Sequence, residues 1–183
     1  PAEVLVFGLP RDVHYGPGMG TNPILMSQAI ASVMSRVAGA FRKGGVGIVS
    51  SLCNGWYNEE WFPSYPATFE RWKERGSIEA MQQDIEEFAT NQHWIDDYRF
   101  RGAYHPFHAF SMLSMAAIAH AYASQIILIN PERPDIAEEA GYAVAAGMGD
   151  ALKMAQSNVG MSPSILAIPD FIAGVPPHLF ANQ

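Results

Sequence analysis

The chain has 183 residues, of which 49% are hydrophobic, with a formal net charge of −7 and a single cysteine. This length predicts one domain, able to bury about 70% of the surface of its unfolded chain. The acidic balance excludes a nucleic-acid-binding surface, which needs clustered lysine and arginine. A lone cysteine excludes an internal disulfide and is typical of a cytoplasmic protein. With no uninterrupted run of 18 apolar residues and no hydrophobic N-terminal signal, we expect neither membrane insertion nor secretion.

The opening of the chain predicts the first half of a βαβ unit. Residues 4–7 read as a strand, a glycine-rich loop follows as far as Gly20, and a helix is predicted over residues 23–41. Asn22 is a favourable N-cap, and Pro23 suits the first helical position because its missing N–H would have no partner there. In a parallel sheet, ligands bind beyond the carboxyl ends of strands, where such loops lie.

One side of this helix is expected to be buried, because its apolar residues recur at three- and four-residue spacing. Gln28 is expected on the other side of the helix, and residues 44–49 supply the second strand. The predicted buried stripe consists of Met26, Ile30, Val33, Val37 and Phe41.

A long loop over residues 53–66 carries an unusual concentration of aromatic side chains. Loops of this length are usually functional. The aromatic rings are interpreted either as a lid over a ligand or, in our preferred reading, as an interface with another chain, since exposed aromatic patches mark such surfaces. The side chains concerned are Trp56, Tyr57, Trp61, Phe62 and Tyr65.

Helices and short apolar strands alternate over the rest of the chain. This order predicts a single α/β domain over residues 1–183, a Rossmann-like three-layer sandwich with a mainly parallel sheet of about four to five strands. Ser77 is a predicted internal helix cap. Helical regions are predicted over 67–75, 78–88, 94–100, from the 104–108 segment to about 123, and over 136–140 and 149–157; strands are predicted over 125–130, 142–144 and 164–168.

The glycine loop is a candidate anion site, because backbone N–H groups at a helix N-terminus attract anions. Its spacing, Gly16-x-Gly18-x-Gly20, is not the dinucleotide fingerprint, and no Gly-Lys-Ser/Thr follows it as in a phosphate-binding Walker loop. The alternative is a turn that only shapes the strand-to-helix connection. His14 with Asp12 is either an acid–base pair or part of a solvated loop.

His105 and His108 stand three residues apart at a predicted helix start, just after Arg101 and Tyr104. Three interpretations stay open: metal ligands, imidazoles that bind substrate, or side chains that pack and cap. No third ligand occurs nearby at useful spacing, so we predict no metal site. His120, in the middle of an apolar run, is interpreted as a core histidine with satisfied hydrogen bonds.

The order of these motifs resembles the C-terminal domain of the nickel-pincer lactate racemase family. The resemblance covers nearly the whole chain. The matching stretches are Val4-Leu5-Val6, Gly20-Thr21-Asn22-Pro23-Ile24-Leu25, Lys43-Gly44-Gly45-Val46, Tyr104-His105-Pro106-Phe107, and Asp150-Ala151-Leu152-Lys153-Met154-Ala155 running to Ile165-Leu166-Ala167-Ile168-Pro169.

The resemblance implies a two-domain enzyme with its active site in the cleft between the domains. In that family the metal-binding histidines and the cofactor-attaching lysine belong to the N-terminal domain. The C-terminal domain contributes a Tyr-Gln pair and a lysine on its first helix. Here the matching stretch, residues 24–28, contains no tyrosine, and Gln28 stands about where that lysine would be; a glutamine cannot act as a general acid or base. The resemblance therefore implies a substrate or role other than lactate racemisation.

The leading hypothesis is a substrate-side domain of a 2-hydroxyacid racemase or epimerase, inactive alone. Its partners would be the N-terminal catalytic domain of the same protein, which would carry the nickel-pincer nucleotide, and a small carboxylate substrate. The alternatives are a binding or assembly module, which could form a homo-oligomer through the aromatic loop, and a metal hydrolase using the two histidines. The predicted catalytic residues are His105, His108 and Gln28; the predicted substrate-binding residues are Tyr15, Gly18, Gly20, Thr21, Asn22, Arg101 and Tyr104.

Overall fold

A computed structural model describes residues 1–12, 20–170 and 178–181 of the chain. Its five strands are β1 (Ala2–Gly8), β2 (Phe41–Ser50), β3 (Gln125–Ile129), β4 (Ala143–Ala145) and β5 (Ile165–Ile168). Its helices are α1 (Pro23–Arg36), α2 (Tyr65–Arg75), α3 (Ile78–Met81), α4 (Ile85–Ala89), α5 (Gln92–Phe100), α6 (Phe107–Tyr122), α7 (Pro134–Glu139) and α8 (Met148–Val159), with a 3-10 turn at Gln82–Asp84.

The strands form one parallel sheet in the order β4-β3-β2-β1-β5. Val4 of β1 is in register with Val46 of β2 on one side and with Ile165 of β5 on the other. Val46 in turn pairs with Gln125 of β3. The predicted fold class, a Rossmann-like α/β domain with a parallel sheet, is confirmed. Strands β2, β3 and β4 are added in turn on one side of β1, whereas β5 is added on its other side. The direction in which strands are added therefore changes at β1.

Alternate residues of the strands enter two separate cores, which makes the domain three layers thick. Leu5 and Phe7 of β1 belong to the larger core, which also takes side chains from every helix except α8. Val4 faces the opposite way and packs in a smaller core with Ala151 and Ala155 of α8. This alternation follows from the two-residue period of a strand. The candidate site lies on the larger, multi-helix side.

Capping residues set several helix boundaries as predicted. The Asn22 side-chain oxygen accepts a hydrogen bond from the Leu25 N–H at 2.8 Å, with Pro23 at the first position of α1. Ser77 caps α3 in the same way through the Ala80 N–H at 3.1 Å. Because a cap satisfies N–H groups that have no partner within the helix, these side chains determine where each helix begins.

Two predicted helices end earlier than the apolar spacing indicated. Helix α1 ends at Arg36, because the chain turns at residues 37–40 and Phe41 is already in register with Ala2 of β1. Phe41 is therefore buried as the first residue of β2 and not as part of α1. The helix predicted over residues 78–88 is divided into α3 and α4 by the 3-10 turn.

Gln28 is buried, contrary to its predicted place on the outer side of α1. Residues 23–31 of this helix are all buried, because α1 packs against α6 and α2 as well as the sheet. A helix covered from three sides has no polar face, so periodicity alone could not place Gln28. In the described part of the chain, no helix combines the length and apolarity needed to cross a bilayer.

Candidate active site at the start of helix α6

The candidate site lies where α6 begins, at the carboxyl edge of the sheet. Helix α6 packs along α1, and only residues 123–124 separate its C-terminal end from β3. Its N-terminal end therefore points towards the edge where parallel strands finish and ligands bind. The segment before α6 is attached to the loop that follows β2, since the Tyr104 N–H donates to the Trp61 carbonyl at 2.7 Å.

A pocket of about 440 Å³ opens at this place. Its size falls within the range of small-molecule sites, about 300–1,000 Å³. The structure brings together three of the predicted site residues, Tyr104, His105 and His108, and adds Tyr98 from α5. Gly102 and Ala103 complete the lining. Two imidazoles and two phenols thus converge on one concave surface.

His105 is held in one orientation by its own backbone neighbourhood. Its Nδ1 accepts a hydrogen bond from the Phe107 N–H at 3.1 Å. The neutral ring therefore carries its proton on Nε2 and is a hydrogen-bond donor there. Tyr98 packs edge-on against the ring, with 5.1 Å between ring centroids and an interplanar angle of 79°. His105 can consequently donate a hydrogen bond to an oxygen of a bound molecule.

His108 is half-buried and hydrogen-bonded to the fully buried Tyr65. Tyr65 Oη lies 2.6 Å from His108 Nδ1, and only 1% of Tyr65 is exposed. Burial lowers the pKa of His108 from its ordinary value of 6.5, because the charged imidazolium loses hydration. His108 is therefore a neutral imidazole at pH 7, the form in which it can accept a proton.

An aromatic stack packs around His108. Phe62 lies almost parallel to Tyr104, with 4.5 Å between centroids, and contacts Tyr65 at 4.7 Å. Tyr104 lies 4.7 Å from the His108 ring. Phe62 and Tyr65 are each 1% exposed, so the expectation that they belong to a lid or an interface is wrong for these two. They are core residues that hold the histidine in place.

The other predicted site residues lie elsewhere. Arg101 does not line the pocket, and its guanidinium pairs with Asp97 at 3.0 Å. Gln28 and the α1 cap residues are not among the pocket's lining residues either. Tyr15 and Gly18, together with His14, lie outside the described residues. The remaining four predicted site residues lie just before α1 or in its first two turns, and all are buried: Gly20, Thr21, Asn22 and Gln28.

Two of these buried side chains have a polar atom that makes no hydrogen bond within the described structure. They are Asn22 Nδ2 and Gln28 Oε1. Asn22 uses its other side-chain atom as the α1 cap, so its position is explained by helix geometry. The unpaired Oε1 of Gln28 can accept a hydrogen bond. An amide, however, neither gives up nor takes a proton near neutral pH. Gln28 is therefore not a candidate for proton transfer.

Tyr98 and Tyr65 are the site residues that sequence reasoning missed. Tyr98 precedes His105 by seven residues in another helix, and Tyr65 precedes His108 by 43 residues. Neither pair forms a local spacing motif. One weak indication pointed to Tyr65. It ends a run of aromatic residues, and a buried histidine packs readily against aromatic rings.

No protein-family model and no curated protein matches the chain. Among solved structures, the chain is similar to the lactate racemase apoprotein from Thermoanaerobacterium thermosaccharolyticum, with a TM-score of 0.56 and 20% sequence identity. The chain has a lactate-racemase-like fold. The match covers 96% of this chain and 36% of the racemase chain, so this chain spans about a third of that protein's length. At this identity the similarity shows a shared fold, in agreement with the resemblance found in the sequence.

The described residues do not form a metal-binding cluster. They contain no group of three or more His, Cys, Asp and Glu side chains placed to bind a metal ion. Cys53, the single cysteine of the chain, is buried and does not line the pocket that holds His105 and His108. A hydrolase mechanism with His105 and His108 as metal ligands therefore gains no support from this part of the chain.

Proposed function

We propose that this chain is the substrate-side domain of a two-domain 2-hydroxyacid racemase or epimerase. The observation that carries the proposal is the convergence of His105 and His108 on one pocket at the carboxyl edge of the sheet. Support comes from the racemase-like fold and from the match of 96% of this chain to 36% of a longer racemase chain. A longer chain leaves room for a second domain that would complete the site.

The two histidines would have different tasks. The Nε2–H of His105 would donate to the carboxylate or hydroxyl of a 2-hydroxy acid, because Nδ1 is already engaged by the Phe107 N–H. His108, neutral at pH 7 for the reason given above, would accept and return the proton of the substrate hydroxyl at Nε2, in the tautomer whose Nδ1–H donates to Tyr65 Oη. The bond to Tyr65 would fix its ring plane while this happens. This division matches the general use of one group for orientation and a second for proton transfer.

The rim of the pocket supports closure by another domain. Tyr98 and Tyr104 line the pocket, and the backbones of Trp61 and Phe107 are hydrogen-bonded to Tyr104 and His105; each of these four aromatic residues is between 37% and 48% exposed. Exposed aromatic rings grouped at one place are typical of an interface, where tyrosine and tryptophan are enriched. The partner domain would have to hold any nickel-pincer cofactor, because the described residues of this chain offer no ligand set for it.

The test uses the protein purified from its native gene with all of its domains. D and L forms of short 2-hydroxy acids are incubated separately and the products are separated by chiral chromatography. We expect interconversion, with kcat/KM reduced about 10²–10⁴-fold in His108→Asn and KM raised in His105→Asn. His93→Asn is the matched control, because the side chain of His93 is 75% exposed and lies outside the pocket.

Absence of interconversion for every 2-hydroxy acid tested would overturn the proposal. So would unchanged kinetics in both His105→Asn and His108→Asn, since the activity would then belong to another site. A single-variant effect would identify which histidine is involved.

A second candidate function, an assembly module, is favoured by the exposure of two tryptophans in the loop after β2. Trp56 is 46% exposed and Trp61 is 41% exposed. If these rings form a contact between copies of the chain, the molar mass from light scattering will rise with concentration, and Trp56→Ser or Trp61→Ser will suppress the rise. Phe180→Ser is a control, because Phe180 is 76% exposed and lies next to Gly39 at the other edge of the sheet. A constant monomer mass would exclude self-assembly.

A further inference from the structure

The pocket at the start of α6 is surrounded by rings, and no charged side chain of the described chain lines it. Its lining consists of Tyr98, Gly102, Ala103, Tyr104, His105 and His108. Arg101 is a sequence neighbour of this lining but does not belong to it, and its guanidinium is paired at 3.0 Å with Asp97. A second carboxylate on a substrate would therefore meet no cation of the described chain here. The side chain of the substrate faces an aromatic, uncharged surface.

Tyr98 is the most exposed ring of this lining. It is 48% exposed, compared with 37% for Tyr104. Within the described part of the chain its one ring contact is with His105, at 5.1 Å between centroids and an interplanar angle of 79°. A near-perpendicular contact of this kind uses at most one face of the Tyr98 ring. The other face is accessible to a ring of a bound molecule, and offset stacking is a favoured arrangement of two aromatic rings.

A hydrogen-bond donor lies beside this ring. His105 Nε2 makes no hydrogen bond to a described residue and is not among the buried polar atoms, so it is reachable from the pocket. Because Nδ1 is engaged by the Phe107 N–H, Nε2 carries the proton of the neutral imidazole. A molecule whose ring stacks on Tyr98 thus has a donor next to it for an oxygen on the adjoining carbon atoms.

The pocket is also larger than the smallest 2-hydroxy acids require. Its volume is about 440 Å³, whereas an apolar cavity of about 150 Å³ is enough to bind benzene. Lactate, whose side chain is one methyl group, would leave most of the aromatic surface in contact with water. A phenyl group joined to a three-carbon hydroxy acid would cover that surface, and burial of an aromatic ring is strongly favourable.

We infer that the substrate is a 2-hydroxy acid with a single carboxylate and an aromatic side chain, and that Tyr98 determines this specificity by stacking on the substrate ring. The inference rests on the proposed function, which assigns the hydroxy acid group to the two histidines. A dicarboxylic hydroxy acid is disfavoured, because its second charge would lose hydration without gaining a partner from the lining.

The first experiment compares four acids on the protein purified from its native gene with all of its domains. They are lactate, 3-phenyllactate, 3-cyclohexyllactate and malate. Chiral chromatography gives kcat/KM, and calorimetric titration with the racemic acids gives Kd without net reaction. We expect kcat/KM for 3-phenyllactate to exceed that for lactate at least tenfold and that for 3-cyclohexyllactate about two- to tenfold, the contribution of an aromatic pair. The value for malate should be the lowest.

Variants on α5 then test the role of Tyr98. Tyr98→Leu should lower kcat/KM for 3-phenyllactate about two- to tenfold and leave that for lactate within about twofold. Tyr98→Phe keeps the ring and should retain the preference, which a merely structural role would not explain. Phe100→Leu is the matched control on the same helix, because Phe100 is 77% exposed and does not line the pocket. An equal effect of Tyr98→Leu on both acids, or no effect on either, would overturn the inference.

The two measurements separate this inference from the proposed function. Interconversion with lactate or malate as the best substrate would overturn the inference and leave the proposed function standing. Binding in the expected order, weakened for 3-phenyllactate in Tyr98→Leu but without interconversion of any acid, would overturn the proposed function and support the aromatic specificity of the pocket. No measurable binding of any of the four acids would overturn both.

Discussion

Tyr65 Oη and His108 Nδ1 lie 2.6 Å apart, although 43 positions separate the two residues in the chain. The bond joins the first residue of α2 to the first turn of α6. It fixes the orientation of His108, and it places a buried hydroxyl where it has a partner. The candidate site thus depends on the packing of two helices.

Tyr65→Phe should therefore destabilise the fold and disturb His108. Removing the hydroxyl while keeping the ring deletes one largely buried hydrogen bond, so the free energy of unfolding should fall by about 1 kcal/mol. Urea denaturation measures this change. Tyr98→Phe is the control, because Tyr98 is 48% exposed and lies at the same pocket. If both variants have the same midpoint, the bond to His108 contributes nothing to stability.

Stability should fall as the pH is lowered from 8 towards 5.5. Burial holds the pKa of His108 and of His120 below the ordinary value of 6.5. Below about pH 6.5 the unfolded chain therefore binds protons that the folded chain does not, which favours unfolding. The contribution is fully present above pH 6.5 and is lost as the pH falls towards the folded pKa values.

Urea denaturation at several pH values tests this dependence, and NMR of the imidazole Cε1–H groups assigns it to residues. The double variant His108→Asn, His120→Phe should flatten the slope over this range. A carboxyl group whose pKa is strongly lowered does not titrate between pH 8 and 5.5. Asp135 is such a group, because the Arg133 guanidinium beside it holds its pKa at about 2. A resonance of His108 or His120 that titrates above 6.5 would contradict the prediction.

Asn22→Ala should weaken the start of α1. Its side chain is fully buried and accepts the Leu25 N–H at 2.8 Å. Loss of such a cap costs about 1 kcal/mol, which corresponds to a fall in Tm of roughly 2–4 °C for a chain of this size. Asn22→Ser keeps an acceptor and should lie closer to the wild type in a calorimetric scan. Equal Tm values for the alanine variant and the wild type would show that the cap is unimportant.

Gly45→Ala and Gly47→Ala, two residues apart in β2, should behave differently. A Cβ at Gly45 would lie 2.6 Å from the Glu3 carbonyl oxygen and 2.9 Å from that of Arg42, whereas at Gly47 the nearest atom is 3.7 Å away on Ile126. Backbone atoms in a sheet cannot move aside easily, so Gly45→Ala should cost about 1–3 kcal/mol. Gly47→Ala should be close to neutral. Similar denaturation midpoints for the two variants would contradict this close backbone approach.

Cys53 should be unreactive in the folded chain. The side chain is fully buried, and burial together with the Asp135 carboxylate raises the pKa of its thiol to about 12. Because the thiolate is the reacting species, a disulfide reagent such as DTNB at pH 8 should modify it only after unfolding in guanidinium chloride. Rapid stoichiometric labelling of the native chain would show that the loop after β2 opens readily.

The elements that depend on neighbouring residues could be predicted from the sequence. The caps at Asn22 and Ser77 use side chains three residues from their partners. The isoleucine-rich run at residues 125–130 predicts a strand, because parallel central strands are buried on both faces, and β3 spans Gln125–Ile129. The two-residue and 3.6-residue periods are local properties, so composition and spacing were sufficient to predict a parallel α/β domain.

The wrong predictions concern residues whose positions are decided by contacts with distant segments and not by the local sequence pattern. Phe41 continues the apolar spacing of α1, but its pairing with Ala2 places it in β2. Gln28 looks solvent-facing on a helical wheel, yet it is buried in a helix that packs against α6 and α2. In both cases the contacts that decide the outcome join residues far apart in the chain, and no spacing rule contains them.

The sequence by itself determined the fold class, the caps and the proximity of His105 to His108, because each follows from composition, period or a three-residue spacing. Only the tertiary structure decided what surrounds them. It joined Tyr65 to His108, added Tyr98 to the pocket and left the His120 Nε2 without a partner in the described structure. These relationships depend on how helices pack across one another, and packing is a property of the whole chain.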